Sequence, residues 1–285
     1  METSPVAARL TRRFVAGQTL EQALSVSRRL GAERILTTLD HLGENVTSAA
    51  EAQASREAYL EALSRISADG LPATVSIKLS QFGLDLSPAI CEANVEPLVA
   101  AAARAGSRVE IDMEASDYVD RTLRLVRAMH SRHGSVRAVI QAYLRRSLAD
   151  VEALCGERIP VRLCKGAYRE PAAIAFPSKR DVDENYLRLA RILIRAGAYP
   201  AIATHDPRMV HGALDAALEL SVHAENFEFQ MLYGIRRDLQ RMLTSGGYRL
   251  RLYVPYGVAW YPYFMRRLAE RPANLLFLAR NFFRS

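Results

Sequence analysis

Asp40, Lys78, Asp112, Gln141, Lys165, His205, Gln230 and Tyr253 each close a short apolar run of β type. Together they supply two acids, two ammoniums, two amides, an imidazole and a phenol. Such a set can anchor an acid group, hold a proton and steady a developing charge, and it contains no evident metal-ligand cluster. The endings fall roughly 23 to 40 residues apart, with helix-length segments between them. In an eight-stranded (β/α) barrel the C-terminal strand ends face the active-site mouth, so the eight endings read as a candidate site inventory.

The elements that must position them are eight predicted strands at 35–40, 74–79, 108–113, 137–144, 161–165, 201–205, 227–232 and 249–254. Predicted helices cover 1–30, 51–68, 88–106, 147–156, 186–197, 207–220 and 235–245, and a further one carries Val119, Leu123, Val126 and His130 at helical spacing. The long insert 166–185 holds two prolines and reads as a lid or ligand-covering loop. The chain shows no linker, low-complexity stretch or repeat of fixed period. The expected fold is therefore α/β, a (β/α)8 TIM-type barrel in one domain spanning 1–285, with a short N-terminal helical segment (1–33) and the barrel at 34–285.

Composition agrees with that reading. Hydrophobic residues make up 49% of 285, enough for one sizeable core, and single α/β barrels need about 250 residues. No uninterrupted apolar stretch approaches the ~18 residues of a membrane span, and the N-terminus lacks the apolar region of a secretion signal. Cys91, Cys155 and Cys164 form no CxxC pair and suit reduced core thiols of a cytoplasmic protein. The net charge of +7 comes almost wholly from arginine, with only three lysines (Lys78, Lys165 and Lys179). Two of those lysines stand at strand ends, where a compact ammonium serves better than a broad guanidinium fork. The arginines are scattered through amphipathic helices, not gathered in a block or interleaved with aromatics, which argues against a nucleic-acid partner.

Several common chemistries lack their motifs: there is no GxGxxG after a strand, GxxxxGK[ST], HExxH or GxSxG. His130 and His133 are spaced as two ligands could be, but the favoured reading is a solvated surface helix end. Lys78 or Lys165 could serve as a Schiff-base lysine of a barrel lyase, or form a salt bridge at the mouth. Near the C-terminus, Glu270 shares a helical face with both Arg266 and Arg267. On its own RRxxE is a common solvated patch. Here it follows the eighth strand, so its two guanidinium forks are placed to grip a small carboxylate.

The ordered motifs TLDHLGENV (38–46), SIKLSQFGLDL, EIDME, QAYL, VRLCKGAYREP, ATHD, FEFQMLYG, YVPYG and YFMRRLAERPAN resemble the proline dehydrogenase family across nearly the whole chain. The family consists of flavoenzymes that oxidise L-proline to Δ1-pyrroline-5-carboxylate within a distorted (β/α) barrel. The resemblance implies that Lys78, Arg266 and Arg267 hold the proline carboxylate, that Tyr253 packs over the ring, and that Glu270 fixes the arginine pair. It makes Asp112 the active-site acid and Arg162 the arginine near the flavin N5. It implies FAD contacts from Met113, Gln141, Arg162, Lys165, Gly166, Ala167, Thr204 and His205, with core packing as the other reading of Met113.

Flavin chemistry needs no metal, because the ring system is the electron sink and the protein supplies position and field. Cations around the substrate would also disfavour its ammonium form, from which hydride does not readily leave. The resemblance further implies a monofunctional enzyme, a quinone as electron acceptor, and product passed to a separate aldehyde dehydrogenase. Location would be cytoplasmic, with at most peripheral contact with the inner face of the membrane through amphipathic ends such as LTRRF and FLARNFF.

Overall fold

The computed structural model describes residues 14–196, 198–260 and 263. Its eight parallel strands are β1 (Leu36–His41), β2 (Ala73–Ile77), β3 (Val109–Ile111), β4 (Val136–Gln141), β5 (Val161–Cys164), β6 (Ala201–Ala203), β7 (Glu228–Leu232) and β8 (Leu250–Tyr256). Each pairs with the next, and β8 closes on β1 with Thr38 opposite Tyr253, which completes the barrel. The described helices are α1 (Leu20–Ala32), α2 (Ala49–Ala68), α3 (Pro88–Arg104), α4 (Val119–His133), α5 (Ser147–Gly156), α6 (Lys179–Ala196), α7 (Pro207–Glu219) and α8 (Arg237–Ser245).

Local chemistry sets several boundaries. Thr19 and Gln22 form a reciprocal capping box that starts α1, so residues 14–19 stand outside the helix expected from residue 1 onward. Ser87 and Asp206 cap α3 and α7, each followed by a proline whose missing N–H costs nothing there. Helix α6 begins seven residues before the predicted 186, because the Ser178 hydroxyl accepts from the Asp181 N–H and the polar run after it winds into a turn. The predicted strand 137–144 stops at Gln141. Tyr143 instead turns across to the insert, where its carbonyl accepts from the Phe176 N–H at 2.8 Å.

The strands invert the usual polarity of a half-buried sheet. Residues such as Val75, Ile77, Val109, Ile111, Leu252 and Val254 alternate with the lumen-facing ones and are almost fully buried in the main hydrophobic core. The alternate positions fill the barrel with charge. Arg137, fully buried, donates to Glu228 at 2.7 Å and to Glu110 at 3.2 Å, and Arg251 donates to Glu228 at 2.9 Å. Burial alone would push both glutamates up, but Arg162, Arg137 and Arg251 hold Glu110 below the usual carboxylate range, and Arg251 and Arg137 do the same for Glu228.

Gln230, expected at the mouth, belongs to this lower layer: its amide donates to Glu228 at 2.7 Å and to Glu110 at 3.3 Å. The outer face of the β1–β8 seam is covered by α1, which packs on both strands.

Candidate active site

Asp112 is the hub of the barrel mouth. It follows β3 directly, and its backbone N–H donates to the Ile77 carbonyl at 2.8 Å, which fixes the chain as it leaves the sheet. Its Oδ1 accepts from Arg162 Nη1 at 2.5 Å and from the Ser76 hydroxyl at 2.8 Å. Its Oδ2 accepts from the Tyr253 hydroxyl at 2.8 Å and lies 3.5 Å from Lys78 Nζ. Residues from three strands, β2, β5 and β8, therefore converge on the carboxylate that follows β3.

Arg162 is buried and doubly held. Its second arm binds Glu110, and its guanidinium lies over the Tyr253 ring, 5.4 Å from the centroid. Burial alone would weaken this cation, yet Glu110 and Asp112 lift its pKa above the ordinary value. Its Nε, also buried, has no hydrogen-bond partner among the described residues. Tyr253 is pushed well above its ordinary value by burial and by the Asp112 charge, so it is a hydroxyl donor across the physiological range.

Lys78 sits just past β2 with three carboxylates around its ammonium, Asp112 at 3.5 Å, Asp40 at 3.7 Å and Glu44 at 3.9 Å. Burial favours the neutral amine, but Asp40, Asp112 and Glu44 together raise its pKa above the ordinary value. Three carboxylates thus stand around one ammonium at this position. Asp40 is buried with its pKa raised, chiefly by burial and despite the Lys78 charge, and it receives a 3.3 Å hydrogen bond from the Tyr59 hydroxyl.

The remaining predicted residues follow β3 to β6. The Gln141 amide donates to the Glu114 carbonyl at 2.9 Å, and Met113 is buried within the main hydrophobic core. Lys165 bridges Asp183 at 2.5 Å and Asp206 at 2.8 Å, and both acids lie below their ordinary pKa because these lysine hydrogen bonds outweigh burial. His205 Nε2 accepts from the Leu232 N–H at 2.8 Å, which leaves the ring proton on Nδ1. The Thr204 hydroxyl accepts from the Asp206 N–H at 3.1 Å.

Gly166 adopts φ +119°, where a side chain would bring Cβ within 2.1 Å of Tyr143 Cδ1, and Gly166 and Ala167 lie exposed. The insert expected to form a lid is tied down at Glu170, which accepts from the Ser116 N–H and hydroxyl at 2.7 Å each. Arg266, Arg267 and Glu270 lie outside the described residues.

Sequence reasoning missed Ser76, Glu110 and Glu44 as site residues. Ser76 and Glu110 stand two residues before Lys78 and Asp112, and a period-two step back from each strand ending finds them.

Residues 23–280 match the family model described as proline dehydrogenase. Proline dehydrogenase 1 of Bacillus subtilis (strain 168) is 40% identical over 269 residues, covering 94% of this chain and 89% of that protein. The proline dehydrogenase of Deinococcus radiodurans is 40% identical over 276 residues, covering 95% and 89%. Among solved structures, proline utilization A (PutA) from Bdellovibrio bacteriovorus, inactivated by N-propargylglycine, superposes with a TM-score of 0.84 at 27% identity. That match covers 90% of this chain and 32% of the other, so the chain spans about a third of the length of that PutA. Matched along nearly its whole length, and with the same barrel, this chain belongs to the proline dehydrogenase family.

Proposed function

We propose that the protein oxidises L-proline to Δ1-pyrroline-5-carboxylate with FAD as its resident cofactor, and that the electrons pass on to a quinone. The observation that carries the reading is the convergence of Asp112, Arg162, Lys78 and Tyr253 in one cluster at the barrel mouth. The product, a cyclic imine that opens to an aldehyde, would then be consumed by a separate aldehyde dehydrogenase. Activity in the cytoplasm, with peripheral visits to the membrane for the quinone, is consistent with this scheme. Among the described residues no helix is long and apolar enough to cross a membrane.

The residues present fit a flavin. Among the described residues Arg162 keeps a buried donor, Nε, without a partner, and the hydroxyl of Tyr143, whose ring packs at Gly166, is likewise buried and unpartnered. The open backbone at Gly166 and Ala167 suits a close approach by a large planar or phosphate-bearing group. Gln141, Arg162, Lys165, Gly166, Ala167, Thr204 and His205 would hold it, with Met113 behind them in the core. When bound, the flavin supplies the two-electron acceptor for hydride from the carbon beside the proline nitrogen.

The protein's own groups do the positioning. Lys78, with Arg266 and Arg267, would bind the proline carboxylate, and Glu270 would steady the arginine pair. Lys78 is anchored by its acids, so any lowering of the amine pKa falls to Arg266 and Arg267. Tyr253 would pack against the pyrrolidine ring of proline while its hydroxyl stays committed to Asp112. Holding the substrate by its acid end fixes the reacting carbon in place, an orientation effect worth several kcal/mol on the order of ten-thousandfold in rate. Lys165 is tied between Asp183 and Asp206 and would act mainly by fixing the loop that carries Gly166.

A Schiff-base lyase is disfavoured by the charge state of Lys78, because that chemistry needs an amine whose pKa is lowered and here it is raised. The deciding experiment is an absorbance spectrum of the purified protein before and after anaerobic addition of L-proline. Flavin bands that bleach support the proposal. Bands indifferent to proline overturn the substrate, and a colourless protein that FAD cannot reconstitute overturns the cofactor. Replacing Arg266 by Met raises KM for proline steeply if the carboxylate clamp is right.

A further inference from the structure

A cavity of about 630 Å³ opens on the outer side of the barrel wall, between α1, α8 and β8. Arg29, Arg237 and Arg241 line it, and among the described residues Glu33 is the one acid of the lining. Elsewhere the exposed arginines are commonly paired with acids, as Arg28 is with Glu21 and Asp69, and Arg132 with Glu92 and Glu96. These three form no ion pair among the described residues. Arg29 donates only to the Tyr233 hydroxyl at 2.8 Å, and Arg241 only to the Arg237 carbonyl at 3.3 Å.

The placement of Arg237 and Arg241 on α8 is doubly unfavourable. Arg237 and Arg241 are like charges four residues apart on one helix face. Arg237 also occupies the first turn, where the helix dipole opposes a cation. The acid of that turn, Asp238, is taken by Arg236 at 2.8 Å. Such a cost is removed by an anion bound between the guanidiniums, and planar forks match phosphate oxygens bidentately.

We propose that the α1–α8 cavity is a binding site for a phosphate-bearing anion, either a soluble phosphoryl compound or the headgroup of an anionic phospholipid. Arg29, Arg237 and Arg241 supply the forks, and Tyr233 orients Arg29. None of these residues belongs to the barrel-mouth cluster, so occupancy is separable from proline turnover.

The test uses the flavin-loaded enzyme, with inorganic pyrophosphate and phosphatidylglycerol vesicles as probes at constant ionic strength. Calorimetric titration with pyrophosphate should saturate, and saturation should raise the unfolding temperature by about 2–4 °C. Arg237→Gln and Arg241→Gln should each weaken that binding about 10-fold or more with proline oxidation unchanged. Arg29→Gln serves as an independent variant on the opposite helix. Pyrophosphate binding without vesicle binding identifies a soluble ligand. Vesicle co-sedimentation that all three variants lose identifies a headgroup. No saturable binding of either probe, or binding that the three substitutions leave intact, overturns the proposal.

Discussion

The Tyr253 hydroxyl donates a 2.8 Å hydrogen bond to Oδ2 of Asp112, joining the last strand of the barrel to the end of the third across the mouth. The same carboxylate holds Arg162 through its other oxygen, so a change at Tyr253 is felt by the arginine as well. Replacing Tyr253 with Phe keeps the ring and removes the bond. The expected result is a fall in kcat/KM for proline of about 10–100-fold, the range for losing a hydrogen bond to a charged group, with the thermal midpoint little changed. Steady-state kinetics alongside a melting curve checks it; undiminished kcat/KM would remove the bond from the mechanism.

Gly166 predicts a conformational penalty of a different kind. At φ +119° any side chain is strained, and Cβ would strike the Tyr143 ring. Gly166→Ala should cost about 1–3 kcal/mol of stability and lower the flavin content of the purified protein. Denaturant titration and the ratio of flavin to protein absorbance report the two effects separately.

Lys165 gives a pH-dependent prediction. It holds Asp183 and Asp206 below their ordinary value of 3.8, so their folded-state pKa values are depressed. A depressed carboxyl pKa adds stability above the unfolded value and loses it as pH falls through the folded one. Lys165→Met should therefore be less stable than wild type by about 1–2 kcal/mol near neutrality. The gap should close as pH drops below 3.8. Urea unfolding across that range decides the matter, and a gap independent of pH would assign the loss to packing.

The charged interior makes Arg137 a stability determinant. Its guanidinium serves Glu110 and Glu228 with no access to water. Arg137→Met leaves both acids short of a partner and should cost about 3–5 kcal/mol, more than a typical substitution. Denaturant midpoints for this variant and for Arg132→Met, whose ion pairs are exposed, should differ by several-fold in effect.

The barrel was legible in the sequence because its strands end in polar residues at helix-length intervals, and Lys78, Asp112, Lys165 and His205 do emerge just beyond their ladders. The charged layer beneath was less visible. Glu110, Arg137, Glu228 and Arg251 sit inside runs that read as apolar strands, and their pairing depends on a register that only closure creates. Gln230 and Tyr253 look alike as strand endings, yet both lie within their strands, Gln230 one layer too deep for the mouth and Tyr253 reaching Asp112. The start of α6 was hidden by its charged first turn, which carries no apolar periodicity.

The β1–β8 seam, with Leu36 opposite Arg251 and α1 laid across its outside, joins the two ends of the described chain. A ribosome delivers β1 first and β8 last, so no nascent intermediate can complete the ring. Until β8 emerges, Glu228 lacks Arg251, and the edge of β1 offers unpaired backbone to any passing strand. Helix α1, made before either, packs on the outer face of β1 and not along its hydrogen-bonding edge, so only the arrival of β8 satisfies that edge.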